Sequence, residues 1–352
     1  MNSPEPKQVS TVELNQNARD TFYMAEALRL ARKGVFTTHP NPRVGCLLVK
    51  DGKVVGRGWH KKAGEPHAEV HALNQAGNLA KGACAYVTLE PCSHFGKTPP
   101  CADALINAGV VRVVTAIEDP NPHVAGKGLA LLQAAGIEVK VNVLADEARM
   151  LNKGFIKRME SGLPWVSIKM AMSLDGRTAM ASGESQWITG SQARADVQRL
   201  RAESSAVLTG IGTLLHDDAA LTVRAEQFDV KRFSGNVSAD SKDGFDGVSL
   251  DEVLKNQPLR VVLDSSARMP VNSRILQTKS PILWVVSEEI NLDLKQQSIA
   301  SLPFVDVMTL PKGPSADSLT RVLEHLAVLG CNEILIEAGS SLAGSFVEAG
   351  LW

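Results

Sequence analysis

The sequence lacks a long apolar run, a run of like charge and a rich supply of aromatic residues. No stretch of its 352 residues supplies the roughly 20 consecutive apolar positions that a membrane-spanning helix needs. Lysine and arginine number 37 against 38 aspartates and glutamates, a net charge of −1. That balance, with aromatics at only 5% and no basic stripe, argues against nucleic acid or an anionic membrane as partner. Cysteine is scarce, with five residues: Cys46, Cys84, Cys92, Cys101 and Cys331. An odd number in a chain this long argues against a secreted disulfide framework and points to metal binding or catalysis. The opening MNSPEPKQVSTVELNQNARD lacks the apolar core of a signal peptide, so residues 1–18 read as a flexible extension of a cytoplasmic protein.

What is present is an alternation of strand-like and helical segments. ARDTFYMAEALRLARK has helical spacing, with Phe22, Ala25, Leu28 and Ala31 on one face. VGCLLVKDGKVVGRGWH predicts a hairpin turning at Asp51-Gly52. HAEVHALNQAG, CADALINAG, GLALLQAAG and ADEARMLNKGFIKRME predict helices, and ACAYVTLE, VRVVTAIEDP and IEVKVNV predict strands. A second α/β series begins after Ser161-Gly162-Leu163-Pro164 with the strand PWVSIKMAMS and ends with the helix SSLAGSFVEAG. Two α/β units are therefore expected, at 19–162 and 163–352, each around a largely parallel sheet. Residues 225–257 are polar with little periodicity and read as a surface insertion.

The stretch TLEPCSHFGKTPPC, from Thr88 to Cys101, puts two cysteines at the ends of a stiff, proline-rich loop. His67-Ala68-Glu69 lies about 25 residues upstream, at the start of a predicted helix. Catalytic zinc takes three protein ligands, with imidazole nitrogen and thiolate among the favoured donors, and leaves its fourth position to water. His67, Cys92 and Cys101 fit that count, and Glu69 can then move protons between water and a departing nitrogen. His-x-Glu followed by Pro-Cys and a further Cys is a zinc deaminase signature, though its common second half is Pro-Cys-x-x-Cys and here eight residues intervene. The bland alternative is a closed structural zinc site with His71 or His94 as fourth ligand. Cys46, Cys84 and Cys331 read as buried thiols, and His60 and His123 carry no spacing signal.

HPNPRVGCLLV, GEPHAEVHAL and TLEPCSHFGKTPPCADALI together resemble the bifunctional riboflavin biosynthesis deaminase/reductases of bacteria. The likeness continues through KMAMSLDGRTAMASGESQWITG, VLTGIGTLLHDDAALTVR, VVLDS and EAGSSLAGSF. It implies a cytidine-deaminase-like three-layer domain followed by a dihydrofolate-reductase-like α/β domain. The first would use one Zn²⁺ to deaminate a diaminopyrimidine ribotide phosphate. The second would use NADPH to reduce the ribosyl group to ribityl. By position, the resemblance puts zinc on His67, Cys92 and Cys101, the proton shuttle on Glu69, and a pyrimidine contact on Asn41. It puts cofactor contacts on Ala171, Trp187, Thr213, Asp217, Ser265 and the turn of Gly339, Ser340, Ser341, Leu342, Ala343, Gly344 and Ser345. Substrate contacts fall on Ser185, Arg201, Leu221, Arg224 and Glu337. Asp217 is the candidate proton donor for reduction, with Lys169 second. The family also implies a dimer through the reductase domain. Its chains normally run on past the last helix seen here, so a shortened reductase with weakened activity and a poorly formed dimer is expected. Two other readings compete: a zinc deaminase of another base or nucleotide, and a zinc-stabilised domain fused to a nucleotide-sensing module.

Overall fold

A computed structural model describes residues 15–93, 99–122, 124–182, 184, 188–228, 249–311 and 315–352. His94, His123, Ser185, Trp187 and residues 229–248 of the expected insertion lie outside the described residues.

The first helix, α1 (Gln16–Arg32), starts where the Asn15 side chain accepts the Ala18 N–H. It buries Met24, Ala27, Leu28 and Ala31, while Phe22 is exposed. The apolar stripe thus sits one residue away from the expected Phe22–Ala25 face, because Met24 completes the i, i+3, i+4, i+7 series.

Five strands form the first sheet: β1 (Gly45–Lys50), β2 (Lys53–Trp59), β3 (Cys84–Val87), β4 (Arg112–Thr115) and β5 (Glu138–Lys140), in the order β2-β1-β3-β4-β5. β1 is antiparallel to β2 and β3, and β3, β4 and β5 run parallel. Asp51 and Gly52 both have positive φ, 49° and 73°, as the two-residue hairpin turn requires. Side chains alternate between faces, with Leu47 and Tyr86 in one core and Cys46, Leu48 and Ala85 in the other. The helices α2 (Ala68–Ala76), α3 (Cys101–Asn107), α4 (Lys127–Ala134), α5 (Ala145–Leu151) and α6 (Lys153–Ser161) complete three layers. The one long helix expected over 145–160 is split into α5 and α6 at Asn152. That residue turns its amide to the backbone of Arg43, accepting the Arg43 N–H at 2.8 Å and donating to its carbonyl at 2.9 Å.

Gly162, with φ 71°, ends α6 and leads into the second sheet. Its strands are β6 (Trp165–Lys169), β7 (Ala206–Gly210), β8 (Leu259–Leu263), β9 (Ile282–Ser287), β10 (Val305–Leu310) and β11 (Glu333–Glu337). Their order is β10-β9-β8-β7-β11-β6 and every pairing is parallel. The helices are α7 (Ser191–Glu203), α8 (Ile211–Asp217), α9 (Leu250–Lys255), α10 (Arg274–Gln277), α11 (Leu294–Ala300), α12 (Ala316–Val328) and α13 (Ser340–Glu348). The last strand, β11, is inserted between β6 and β7, and ligands of open parallel sheets commonly settle beyond the carboxyl ends of the strands.

Part of the expected surface insertion at 225–257 is described, and it carries a helix. Ser249 and Glu252 form a reciprocal cap on α9, and Val253 and Phe228 pack with Phe36 and Trp59 of the first unit. Among the described residues no helix is long and apolar enough to cross a membrane.

Candidate active sites

The first site grows from a close contact between β2 and α2. A Cβ on Gly58 would lie 1.9 Å from the Ala68 carbonyl oxygen, so only glycine lets the helix sit this low on the strand. That packing fixes His67, the residue capping α2. Cys92 follows β3 by five residues and Cys101 opens α3. His67 Nδ1 stands 3.6 Å from Cys92 Sγ and 3.3 Å from Cys101 Sγ, and the Cys101 N–H donates to Cys92 Sγ at 3.4 Å. The three ligand atoms all lie within 4.8 Å of one another. A tetrahedral zinc bound ~2.0–2.3 Å from N and S has edges of about 3.5 Å between those donors, so the spacing fits that ion. The electrostatics agree. The Cys101 thiol, then His67 and the Cys101 N–H, hold the Cys92 sulfur below the usual thiol range, while Cys101 itself is pushed up by Cys92 and by burial. Two adjoining sulfurs ionise together only with a cation between them.

Glu69 sits in the first turn of α2, buried, with its Oε2 making no hydrogen bond. Burial pushes its carboxyl up to about 7. It is not one of the ligand group, and neither is His71, the described candidate for closing the coordination shell. The described side chains therefore bring three potential ligands together beside one buried acid that keeps a carboxylate oxygen without a hydrogen bond.

His60 was not singled out by spacing, yet it touches this site. Its Nδ1 donates to Pro66 O at 3.3 Å, which leaves Nε2 to accept from Asn41 Nδ2 at 3.1 Å. Burial holds the ring down to about 4, so it stays neutral, and it packs edge-on against His67 with centroids 5.4 Å apart. The only signal in the sequence was its place at the end of the hairpin. Glu90 was missed as well. Its carboxylate accepts four backbone N–H groups, from Asp119, Gly126, Gly128 and Leu129, and so ties the 119–129 loop beside the cysteines.

A second site is a cavity of about 370 Å³ at the carboxyl ends of β7, β8, β9 and β10. Of the expected cofactor contacts, Ser265, Ser341, Leu342 and Ser345 line it. Gly339 caps the amino end of α13, whose first turn carries Ser340 and Ser341; Ala343 is buried in the core and Gly344 is half-buried. Ala171 and Thr213 are half-buried but outside the lining. Asp217 ends α8, exposed, with its Oδ1 on His216 Nδ1 at 2.7 Å, and is not brought to the cavity. Sequence reasoning missed two lining residues. Asp264 is buried, with Oδ2 engaged by the Met269 N–H and Trp284 Nε1 and Oδ1 without a partner. Arg268 is the one cation among the described lining residues.

The expected substrate residues gather near β11. Arg201 is buried and forks onto Glu337 at 2.6 and 3.0 Å, with its remaining arm on Thr222 O at 2.8 Å. It is not part of a solvated face, whereas Arg199 on the same helix pairs locally with Asp196 and Glu203. Arg224 has no carboxylate at ion-pair distance among the described residues, and burial, then Arg201 and Arg274, depress its pKa. The Leu221 side chain is buried in the core with φ 57°, so only its backbone is free to meet a ligand. Lys169 stands in register with Glu337 on the neighbouring strand.

Residues 17–117 match the cytidine and deoxycytidylate deaminase zinc-binding region, and residues 164–352 match the RibD C-terminal domain. The riboflavin biosynthesis protein RibD of Escherichia coli (strain K12) is 49% identical over 333 residues, 95% of this chain and 85% of that protein. The structure of Acinetobacter baumannii RibD matches with a TM-score of 0.81 and 44% identity, covering 96% of this chain and 85% of that one. That of the Thermotoga maritima diaminohydroxyphosphoribosylaminopyrimidine deaminase/5-amino-6-(5-phosphoribosylamino)uracil reductase matches at 0.76 and 32% identity, covering 95% and 85%.

Proposed function

The chain belongs to the RibD family of riboflavin biosynthesis proteins, and from that premise we propose how its two sites divide the work. The first unit hydrolytically deaminates 2,5-diamino-6-(5-phosphoribosylamino)pyrimidin-4-one. The second reduces the ribosyl group of the deaminated product to ribityl with NADPH, in the cytoplasm. The observation that carries this reading is the grouping of His67 Nδ1 and the sulfurs of Cys92 and Cys101 beside the buried, unpartnered Oε2 of Glu69.

His67, Cys92 and Cys101 would hold a zinc ion, which would supply Lewis-acid activation of water near neutral pH. Glu69 accepts a proton at Oε2 and returns it to the departing amine. Asn41 commits Nδ2 to His60, which leaves its Oδ1 to accept from the pyrimidine N–H groups. In the second unit NADPH supplies the hydride. The backbone N–H groups at the start of α13 and the Arg268 guanidinium would hold its phosphates. Arg224, which has no carboxylate at ion-pair distance among the described residues, receives the ribotide phosphate. Lys169, beside Glu337 at the sheet edge, is better placed to deliver the proton than the exposed, His216-paired Asp217.

Metal analysis tests the first half. Purified chain should hold one zinc. Cys92→Ser and Cys101→Ser should each lose zinc and ammonia release while still oxidising NADPH when given the deaminated pyrimidine. Full zinc in both variants would overturn the ligand assignment.

A further inference from the structure

The short segment Thr38–Arg43 joins the end of α1 to β1 and carries Asn41. Among the described residues its hydrogen bonds to its own unit run from Thr38 (N–H and Oγ1) to Gly34 O, from Asn41 N–H to Thr38 O, from Arg158 Nη2 to Pro40 O at 3.4 Å, from Arg43 to Leu151 and Asn152, from Asn152 Nδ2 to Arg43 O, and from Asn41 Nδ2 to His60. The second unit grips it at three successive points. Asn332 Nδ2 donates to Pro40 O at 2.9 Å. Ser205 Oγ lies 3.0 Å from His39 Nδ1. The Arg43 guanidinium forks onto Glu333 at 3.0 and 3.2 Å.

The hydrogen-bond directions are determined by counting donors. Ser205 Oγ already accepts the N–H groups of Asn332 (2.9 Å) and Glu333 (3.1 Å). A hydroxyl has two acceptor sites and one proton, so that proton goes to His39 Nδ1. Asn332 is equally committed. Arg158 Nε donates to its Oδ1 at 2.7 Å, which turns Nδ2 toward Pro40 O, and its own carbonyl accepts the Trp165 N–H at 2.8 Å. Asn332 is 7% exposed. Pro40 packs on Gly330, where an added Cβ would lie 3.2 Å from the Pro40 Cβ and where φ is +88°. A continuous chain of contacts thus runs from Asn332 through Pro40 to Asn41, His60, Pro66 and His67.

We propose that Asn332 and Ser205, residues of the second unit, are positioning residues for the first reaction: they hold residues 38–43 so that Asn41 meets the pyrimidine in productive register. The inference rests on the reading of Asn41 as a pyrimidine contact. Both residues sit where β11 and β7 begin, whereas the cavity lies beyond the opposite, carboxyl end of β7, so their effect falls on deamination and not on reduction. Misplacing a substrate group by about 1 Å can cost 10²-fold in rate, which makes the grip consequential although it touches no substrate.

The test uses the full chain loaded with zinc. Asn332→Ala should raise the KM for the diaminopyrimidine ribotide about tenfold or more, with zinc content unchanged and NADPH oxidation of the deaminated pyrimidine unchanged. Ser205→Ala should do the same, and Ser205→Thr, which keeps the hydroxyl, should restore KM. Wild-type KM in both alanine variants would overturn the proposal. So would a parallel fall of deamination and reduction with a lowered unfolding midpoint, which would mark a merely structural role. Asn41→Ala, measured alongside, separates the two failures: an unchanged KM there would refute the reading of Asn41, whatever the Asn332 variant does.

Discussion

Three buried acids of the first unit show how surroundings assign roles to one chemical group. Burial alone would raise Asp20, but Arg112, Lys140, Gln16 and Tyr86 bind it and hold it well below the usual carboxylate range. Glu90 is filled by four backbone donors. Glu69 has an oxygen with no partner and rises to about 7, which suits a proton shuttle. His39 offers a residue-scale test of the seam between the units. Burial first, then Arg158 and Arg43, depress it from 6.5 to about 4. The folded chain then binds fewer protons than the unfolded chain between those values, so stability is full above pH 6.5 and falls as pH drops toward 4. His39→Gln should flatten that fall, measured as the urea midpoint at pH 7 and pH 5. His60, held down to about 4 in the same sense, keeps part of the slope. An identical fall in both proteins would contradict the assignment to His39.

At the scale of elements, the ligand geometry rests on how low α2 sits on β2. A methyl group at position 58 meets Ala68 O at 1.9 Å and Ala72 N at 2.6 Å, both backbone atoms that cannot swing aside. Gly58→Ala should therefore lift the start of α2, cost about 1–3 kcal/mol of stability, and weaken zinc binding through His67. Unchanged zinc affinity in a competition with a chelator would show that the helix is not what positions the ligand. The elements also mark the limit of what could be read from sequence. The β1–β2 hairpin was legible because Asp51-Gly52 favours such a turn, and the grouping of His67, Cys92 and Cys101 because its residue types and spacing are rare. The cap Ser249-x-x-Glu252 was present in the sequence too, but the polar residues before it masked α9, whose burial of Val253 depends on Phe36 and Trp59 far away in the chain. The break at Asn152 and the role of His60 were illegible for a similar reason. Both are set by partners, Arg43 and Asn41, that only the folded chain brings near.

On the scale of the whole molecule, two sheets carry two sites at separate strand ends, and β11 links them mechanically. Its first residue, Glu333, holds Arg43 of the first unit, and its last, Glu337, holds Arg201 of the second. The proposed chemistry is divided, since no residue proposed for one reaction is proposed for the other. The most direct measurement of that claim compares Glu69→Gln and Arg224→Ala in the full chain, reading ammonia release, NADPH oxidation with supplied deaminated pyrimidine, and zinc content. Glu69→Gln should keep zinc, lose about 10²–10⁴-fold in ammonia release, and oxidise NADPH at the rate of the unsubstituted chain. Arg224→Ala should release ammonia normally and reduce poorly. Loss of both activities in either folded variant, or undiminished ammonia release by Glu69→Gln, would contradict the account.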